Sequence, residues 1–157
     1  MQDEIVEVHS KVLVGITVRT NNQQEMTPMT GKIPGLITRY MQEKIAEKIP
    51  NRSHPGTLIC AYTHYTQGYQ GEYTYFVGEE VSNLGVVPEG LEALIVPAGS
   101  YRKFLAGPGP LPMILIQTWQ KIWAIFQAGS NPNRNYRVDF EVYDNRAQNP
   151  LMAQVDI

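Results

Sequence analysis

The sequence is short of cysteine, of net charge and of long apolar runs, and each shortage excludes a class of protein. Cys60 is the single cysteine among 157 residues, so no disulfide can form within the chain. The formal net charge is -2, and the Lys and Arg residues are scattered rather than clustered. We therefore expect no direct binding to nucleic acid, which requires a basic surface.

Signals for export and for membrane insertion are also lacking. No run approaches the about 18 apolar residues that cross a membrane, and residues 1–4 are acidic where a secretory signal would be basic. His9, His54 and His64 do not have the spacing of metal ligands. We therefore expect a cytoplasmic protein without membrane contact, metal site or cofactor.

Length and aromatic side chains are what the sequence does have. A chain of 157 residues buries roughly 70% of its unfolded surface on folding, which is enough for one domain without a disulfide or metal. Two Trp, nine Tyr and four Phe residues supply aromatic faces for a core or for a cavity. The composition therefore predicts a single domain over residues 1–157.

Periodicity in the first half predicts strands and one helix. Apolar residues at even positions from Val6 to Val18 predict one long strand or two joined strands over residues 4–20. Apolar residues at helical spacing after Pro34 predict a helix that ends near Pro50. The β-rich residues 57–65 and 73–80 predict a hairpin.

The same order recurs in the second half. Residues 91–97 predict a strand, residues 111–127 a helix with a broad apolar face, and residues 136–143 and 153–157 two further strands. The glycines and prolines between residues 98 and 110 predict a turn and the start of the helix rather than a phosphate-binding loop. We therefore predict an α+β fold of two duplicated β-α-β-β halves, about residues 1–85 and 86–157.

The strand over residues 136–143 carries an acidic residue among aromatic ones. Alternation predicts a core face and a second face that is either solvated or the wall of a polar-tipped cavity. The core face comprises Tyr136, Val138, Phe140 and Val142, and the second face comprises Arg137, Asp139, Glu141 and Tyr143. A buried unpaired carboxylate is costly, so an inward-facing Glu141 would be protonated, paired or reserved for a ligand.

Six segments in order along the chain resemble the GyrI-like, or AraC-type, effector-binding domains, which occur fused to regulators and as free-standing proteins. These segments are residues 15–19 with Asn21, 33–36, 73–81, 96–104, 119–123 and 139–143. No helix-turn-helix or zinc-finger sequence accompanies them, so we expect a free-standing member rather than the regulator itself. A second copy of the chain or a separate regulator protein is then the candidate macromolecular partner.

The resemblance implies two β-α-β-β halves related by pseudo-two-fold symmetry around a ligand cleft. In drug-sensing members an acidic residue on the penultimate strand lies at the base of an aromatic pocket and pairs with cationic, lipophilic compounds, and Glu141 is the matching position. The ligand-binding residues that this implies are Glu141, Tyr143, Trp119, Trp123, Tyr75, Phe76, Tyr65, Tyr101 and Phe104. Of the two tryptophans, we expect Trp123 to lie nearer to the cleft.

The implied function is capture or sensing of a cationic amphipathic small molecule. Two alternatives remain open at this point. Some GyrI-like proteins resemble hydrolases of strained electrophilic molecules, in which Glu141 would activate water. Others bind and inhibit a macromolecule, as the gyrase inhibitor of the superfamily does.

Overall fold

The computed structural model describes residues 3–67, 70–127 and 134–157. The first half contains four strands and three helices within these residues. They are β1 (Asp3–Val8), β2 (Lys11–Asn21), α1 (Asn22–Glu25), α2 (Ile33–Gln42), α3 (Ile45–Lys48), β3 (Leu58–Thr63) and β4 (Glu72–Val81).

The second half adds four strands, one long helix and a short 3-10 helix within the described residues. They are β5 (Glu92–Val96), β6 (Gly99–Gly109), α4 (Met113–Gln127), β7 (Val138–Tyr143), the 3-10 helix Asn145–Ala147 and β8 (Ala153–Asp156). No helix in these described ranges is long and apolar enough to cross a membrane.

All strands join one antiparallel sheet of eight strands in the order β1-β6-β8-β7-β3-β4-β2-β5. The predicted α+β class is confirmed. The order is symmetric about the β3–β7 pair, because β3-β4-β2 on one side corresponds to β7-β8-β6 on the other. Each outer strand pairs with the other half, β1 with β6 and β5 with β2. This order agrees with two related halves, although their origin by duplication stays a prediction.

Helices cover one face of the sheet. Under α2 and α3, the side chains of Leu36, Tyr40 and Ile45 pack on strand residues that include Cys60 and Tyr75. Under α4, a second cluster joins Ile114 to Ala106, Ala153 and Val155. The opposite face buries a third cluster around Leu13, Phe76 and Val96.

The strand β6 lies where the sequence predicted a turn and a helix start, so that prediction was wrong. Pairing with the neighbouring strand β1 stabilises β6, whose own residues lack the apolar alternation that predicts a strand. Arg102 forms an ion pair with Asp3 of β1 at 3.0 Å, and Lys103 forms one with Glu4 at 2.7 Å. Gly107 has a φ of +91° and lies within the register shift between β6 and β8. Local periodicity cannot show a strand that depends on such distant partners.

The first predicted helix is two helices in the structure. Helix α2 ends at Gln42, and α3 begins at Ile45. Lys44 between them adopts a left-handed conformation with a φ of 51°. A continuous helix cannot include such a residue, so the chain changes direction before Ile45 enters the core.

Candidate ligand-binding site

Glu141 is buried in the middle of β7, with 2% of its surface exposed. It lies on the helix-covered face, opposite Cys60 of β3. The Tyr62 hydroxyl and the Trp119 indole Nε1 donate to Glu141 Oε2 at 2.9 and 2.6 Å, and the Tyr143 hydroxyl donates to Oε1 at 2.6 Å. Within the described segments, no Lys or Arg forms an ion pair with this carboxylate.

Two opposing effects act on the carboxyl group. Burial raises the pKa of Glu141, and the hydrogen bonds from Tyr143, Trp119 and Tyr62 oppose that rise. Burial, together with the nearby Glu141 carboxylate, also raises the pKa values of Tyr62 and Tyr143. Both phenols therefore stay neutral donors at physiological pH. When Glu141 is ionised, its charge has partners for its lone pairs but no counter-ion.

Aromatic rings surround this carboxylate. The Tyr62 ring lies 5.0 Å from Trp119, 5.2 Å from Tyr75 and 5.6 Å from Tyr73, measured between ring centroids. These are ordinary distances for tilted and edge-to-face aromatic pairs. The cluster presents ring faces and edges to any group that approaches Glu141.

A cavity of about 940 Å³ lies beside the cluster. Strand β8 pairs with β7 only at Val142, so the N-terminal parts of β6 and β7 diverge and leave a cleft. Aromatic residues on its wall are Tyr101, Phe104, Trp119, Phe126 and Phe140. Trp119 is both part of this wall and a donor to Glu141. The indole therefore connects the cavity with the carboxylate, which itself does not line the cavity.

A second acidic group lies two residues before Glu141 on the same face of β7. Asp139 Oδ2 accepts hydrogen bonds from Arg134 Nη2, at 2.8 Å, and from the Tyr65 hydroxyl. The Arg134 side chain is 9% exposed, and its guanidinium lies 4.2 Å from the centroid of the Tyr136 ring. Unlike Glu141, this carboxylate already has a cation.

The structure brings some of the predicted residues together around Glu141. Tyr143 and Trp119 contact its carboxylate, and Tyr75 lies one ring further away, behind Tyr62. Tyr65 lies at the Asp139 end.

Other predicted residues lie elsewhere. Tyr101 and Phe104 line the cavity rather than the carboxylate. Phe76 is fully buried in the cluster on the opposite face of the sheet. Trp123 contacts the Trp119 ring at 6.3 Å but contributes nothing to the cavity wall. The expectation that Trp123 lies nearer to the cleft was wrong, because the helix turns Trp119 toward β7.

The two faces of β7 also differ from expectation. Phe140 and Val142, predicted as plain core, line the cavity, whereas Glu141 on the other face is almost completely buried. Helix α4 covers the Glu141 face, which explains its burial. Tyr136 precedes the strand with a φ of 53°, and its ring turns to Tyr65. The positive φ interrupts the alternation from which its side was predicted.

Four residues of the site were not among the predicted ligand-binding residues, namely Tyr62, Arg134, Tyr136 and Asp139, although the alternation of β7 does place Asp139 on the face of Glu141. The sequence held one signal for Tyr62, since residues two positions apart on a strand share a face and Tyr62 follows Cys60 by two. This signal could not identify the hydrogen bond to Glu141, because that bond depends on the pairing register of β3 with β7.

Comparison with known proteins identifies the family. The model of the family described as integron-associated effector binding protein, Cass2, matches residues 4–157. The chain belongs to this family. Together with the structural neighbours below, the match places this effector-binding domain in the GyrI-like superfamily and makes it a small-molecule-binding domain.

Two similar proteins carry the names of transcriptional regulators. YobU of Bacillus subtilis (strain 168), named as a candidate transcriptional regulator, is 30% identical over 153 residues, which cover 98% of this chain and 93% of YobU. The transcriptional regulator BrlR of Pseudomonas aeruginosa is 37% identical over 101 residues, covering 63% of this chain and 35% of BrlR.

Two solved structures share the fold over nearly the whole chain. The integron cassette protein VCH_CASS2 from the mobile metagenome of Vibrio cholerae has a TM-score of 0.75 at 25% identity, covering 99% of this chain and 94% of that one. SAV2435, solved bound to tetraphenylphosphonium, has a TM-score of 0.77 at 17% identity, covering 100% and 92%. At that identity, SAV2435 shows the fold alone.

Proposed function

We propose that this effector-binding domain captures cationic, lipophilic small molecules and that Glu141 is their counter-ion. The observation that carries the proposal is a carboxylate with 2% exposure whose three hydrogen-bond partners, Tyr62, Trp119 and Tyr143, are all neutral donors. Within the described part of the chain, no cation pairs with this carboxylate. Tetraphenylphosphonium bound to SAV2435 is an example of the ligand class.

The route to the carboxylate leads through the cavity. A lipophilic cation is weakly hydrated, so it exchanges water for aromatic faces at roughly 0.5 to 2 kcal/mol per ring. Trp119 stands between the cavity and Glu141, and its indole must move or tilt for a cation to reach the carboxylate. Once Trp119 moves, the charge of Glu141 acts in a site from which water is largely excluded.

The hydrolase alternative needs a water molecule within hydrogen-bond reach of Glu141. Tyr62, Trp119 and Tyr143 already fill three of the roughly four acceptor positions of the carboxylate, which favours binding over turnover. Incubation with a strained electrophile, followed by product analysis, separates the two. Turnover that disappears in Glu141→Gln would establish the hydrolase.

Charge selectivity is the main test of the proposal. The probes are tetraphenylphosphonium and the neutral triphenylphosphine oxide, measured by quenching of Trp fluorescence. The variant Trp123→Phe leaves Trp119 as the single tryptophan, since the chain has two, so the signal reports from the cavity wall. We expect the neutral compound to bind at least tenfold more weakly, which corresponds to about 1.4 kcal/mol. Equal affinities would refute the role of the charge.

A further inference from the structure

Arg134 lies among aromatic rings as a cationic ligand would. Its guanidinium carbon is 4.2 Å from the centroid of the Tyr136 ring, the distance of a close cation-π contact. Three further rings lie near the limit of about 6 Å for such attraction. They are Tyr65 at 5.9 Å, Phe126 at 5.9 Å and Trp119 at 6.0 Å.

One carboxylate completes this arrangement. Asp139 Oδ2 accepts from Arg134 Nη2 at 2.8 Å, and the Tyr65 hydroxyl donates to the same oxygen. Aromatic faces with one anion at the end are the features proposed above for the Glu141 site. The two sites share a wall, because Trp119 contacts both Glu141 and the Arg134 guanidinium.

The hydrogen bonding of the Arg134 guanidinium is incomplete at this position. Its Nη1 is buried and has no hydrogen-bond partner among the described residues. A buried donor without a partner has lost its hydration without replacement. Arg134 also lines the 940 Å³ cavity, so a molecule that enters the cavity meets it.

We propose that Asp139 and the rings of Tyr65, Trp119, Phe126 and Tyr136 form a second cation subsite and that Arg134 is its resident occupant. The displacement of Arg134 rests on the proposed function. A cationic ligand competes with Arg134 for the shared Trp119 wall and displaces the Arg134 side chain. The Arg134–Asp139 pair thereby sets a threshold, so that only cations with enough aromatic surface to replace these contacts bind well.

Chemical rescue tests the subsite without any use of the proposed ligand. Arg134→Ala removes the guanidinium and leaves its place empty. Methylguanidinium at millimolar concentration should then raise the Tm of this variant saturably. The wild type and the exposed control Arg39→Ala should show no such rise, and N-methylurea should not replace methylguanidinium. Absence of a saturable rise specific to Arg134→Ala would overturn the subsite.

Binding of tetraphenylphosphonium tests the competition. We expect Arg134→Ala to bind it at least fivefold more tightly than the wild type, because no resident cation has to leave. Arg39→Ala should bind as the wild type does. Equal or weaker binding by Arg134→Ala would overturn the competitor role. If no variant binds tetraphenylphosphonium while methylguanidinium still rescues, the proposed function fails and the subsite stands.

A measurement on the wild type covers the case in which Arg134→Ala does not fold. The arginine Nε signal of Arg134 in a 15N NMR spectrum can be assigned from its loss in Arg134→Lys. Tetraphenylphosphonium should shift this signal to the position of solvent-exposed arginines. A signal that stays unchanged at saturating ligand would show that Arg134 remains in place and would overturn the displacement.

Discussion

Glu79 and Glu141 are both buried, with 3% and 2% of their surfaces exposed, but they have different partners. Glu79 Oε2 in β4 lies 3.3 Å from Arg52 Nη1, whose side chain is 27% exposed. Among the residues that the structure describes, the donors to Glu141 in β7 are all neutral. Burial raises the pKa of both carboxyl groups, and for Glu79 the positive charge of Arg52 opposes the rise.

The difference separates a carboxylate that is paired within the fold from one that has no cationic partner among the described residues. Glu79 has a counter-ion within the fold, so its charge is compensated whether or not a ligand is present. Because no described Lys or Arg pairs with Glu141, its charge is compensated by a proton or by a cation from outside the described residues. Substitution of either glutamate therefore tests the difference.

The largest effect is expected on cation binding. Glu141→Gln keeps the shape and can keep all three hydrogen bonds, if the amide oxygen accepts from Trp119 and Tyr62 and the amide nitrogen donates to Tyr143. It removes only the charge. Tetraphenylphosphonium should bind more weakly by about 2 kcal/mol or more, roughly thirtyfold. Titration calorimetry measures this.

Glu79→Gln is the matched control, since it neutralises the other buried carboxylate. Its affinity for tetraphenylphosphonium should stay within about threefold of the wild type. Similar losses in both variants would mean that net charge, and not the position of Glu141, attracts the cation.

The two variants should rank in the opposite order when folding stability, rather than cation affinity, is measured. Glu79→Gln weakens the pair with the partly hydrated Arg52 but also removes a charge whose burial raises its pKa, so the free energy of unfolding should fall by no more than about 1 kcal/mol. Glu141→Gln removes a buried charge without a counter-ion and should leave that free energy unchanged or higher at neutral pH. Urea unfolding at pH 7 checks both. A large loss in Glu141→Gln would show that the charge itself stabilises the fold.

The pH dependence of stability gives a third contrast. The pKa of Glu141 is higher in the folded protein than its ordinary value of 4.5, so the folded state binds the proton more tightly. The free energy of unfolding should therefore fall as pH rises from about 4.5 through the raised pKa, and level off above it. Subtracting the Glu141→Gln curve from that of the wild type isolates this contribution. A flat difference curve would contradict a raised pKa.

Much of the fold was predictable because it rests on local periodicity. The apolar spacing that begins at Ile33 and the broad face of residues 111–127 predicted α2, α3 and α4, apart from the break at Lys44, but α1 was missed because its four residues are polar. Strand β6 was not predictable, because ion pairs and backbone pairing with β1 hold it across almost a hundred residues of sequence. Sequence patterns indicate local structure, so they could not indicate pairing with β1, which is distant in the sequence.

The same limit applies to the site. Glu141 could be singled out by its position among aromatic residues and by the family resemblance. The hydroxyl of Tyr62 could not be assigned to it, since a shift of one residue in the β3–β7 register would turn that side chain to the other face. The contact between the Arg134 guanidinium and the Tyr136 ring depends in addition on the positive φ of Tyr136. A tyrosine in the sequence does not predict such a backbone conformation.

The smallest predicted effect concerns the donor that connects the cavity with Glu141. Trp119→Phe keeps an aromatic ring and removes the Nε1 donor to Glu141 Oε2. Loss of one of the three donors that oppose the raised pKa should move that pKa further upward. Cation affinity should rise with pH as Glu141 ionises, and the midpoint of this rise should lie at higher pH in the variant, while stability falls by only about 1 kcal/mol. Binding titrations across a pH series measure the midpoint.

Trp123→Phe is the control, because the Trp123 indole makes no hydrogen bond to Glu141, whose three donors are Tyr62, Trp119 and Tyr143. An equal shift in both variants would mean that the helix surface, rather than the Trp119 hydrogen bond, controls the ionisation of Glu141.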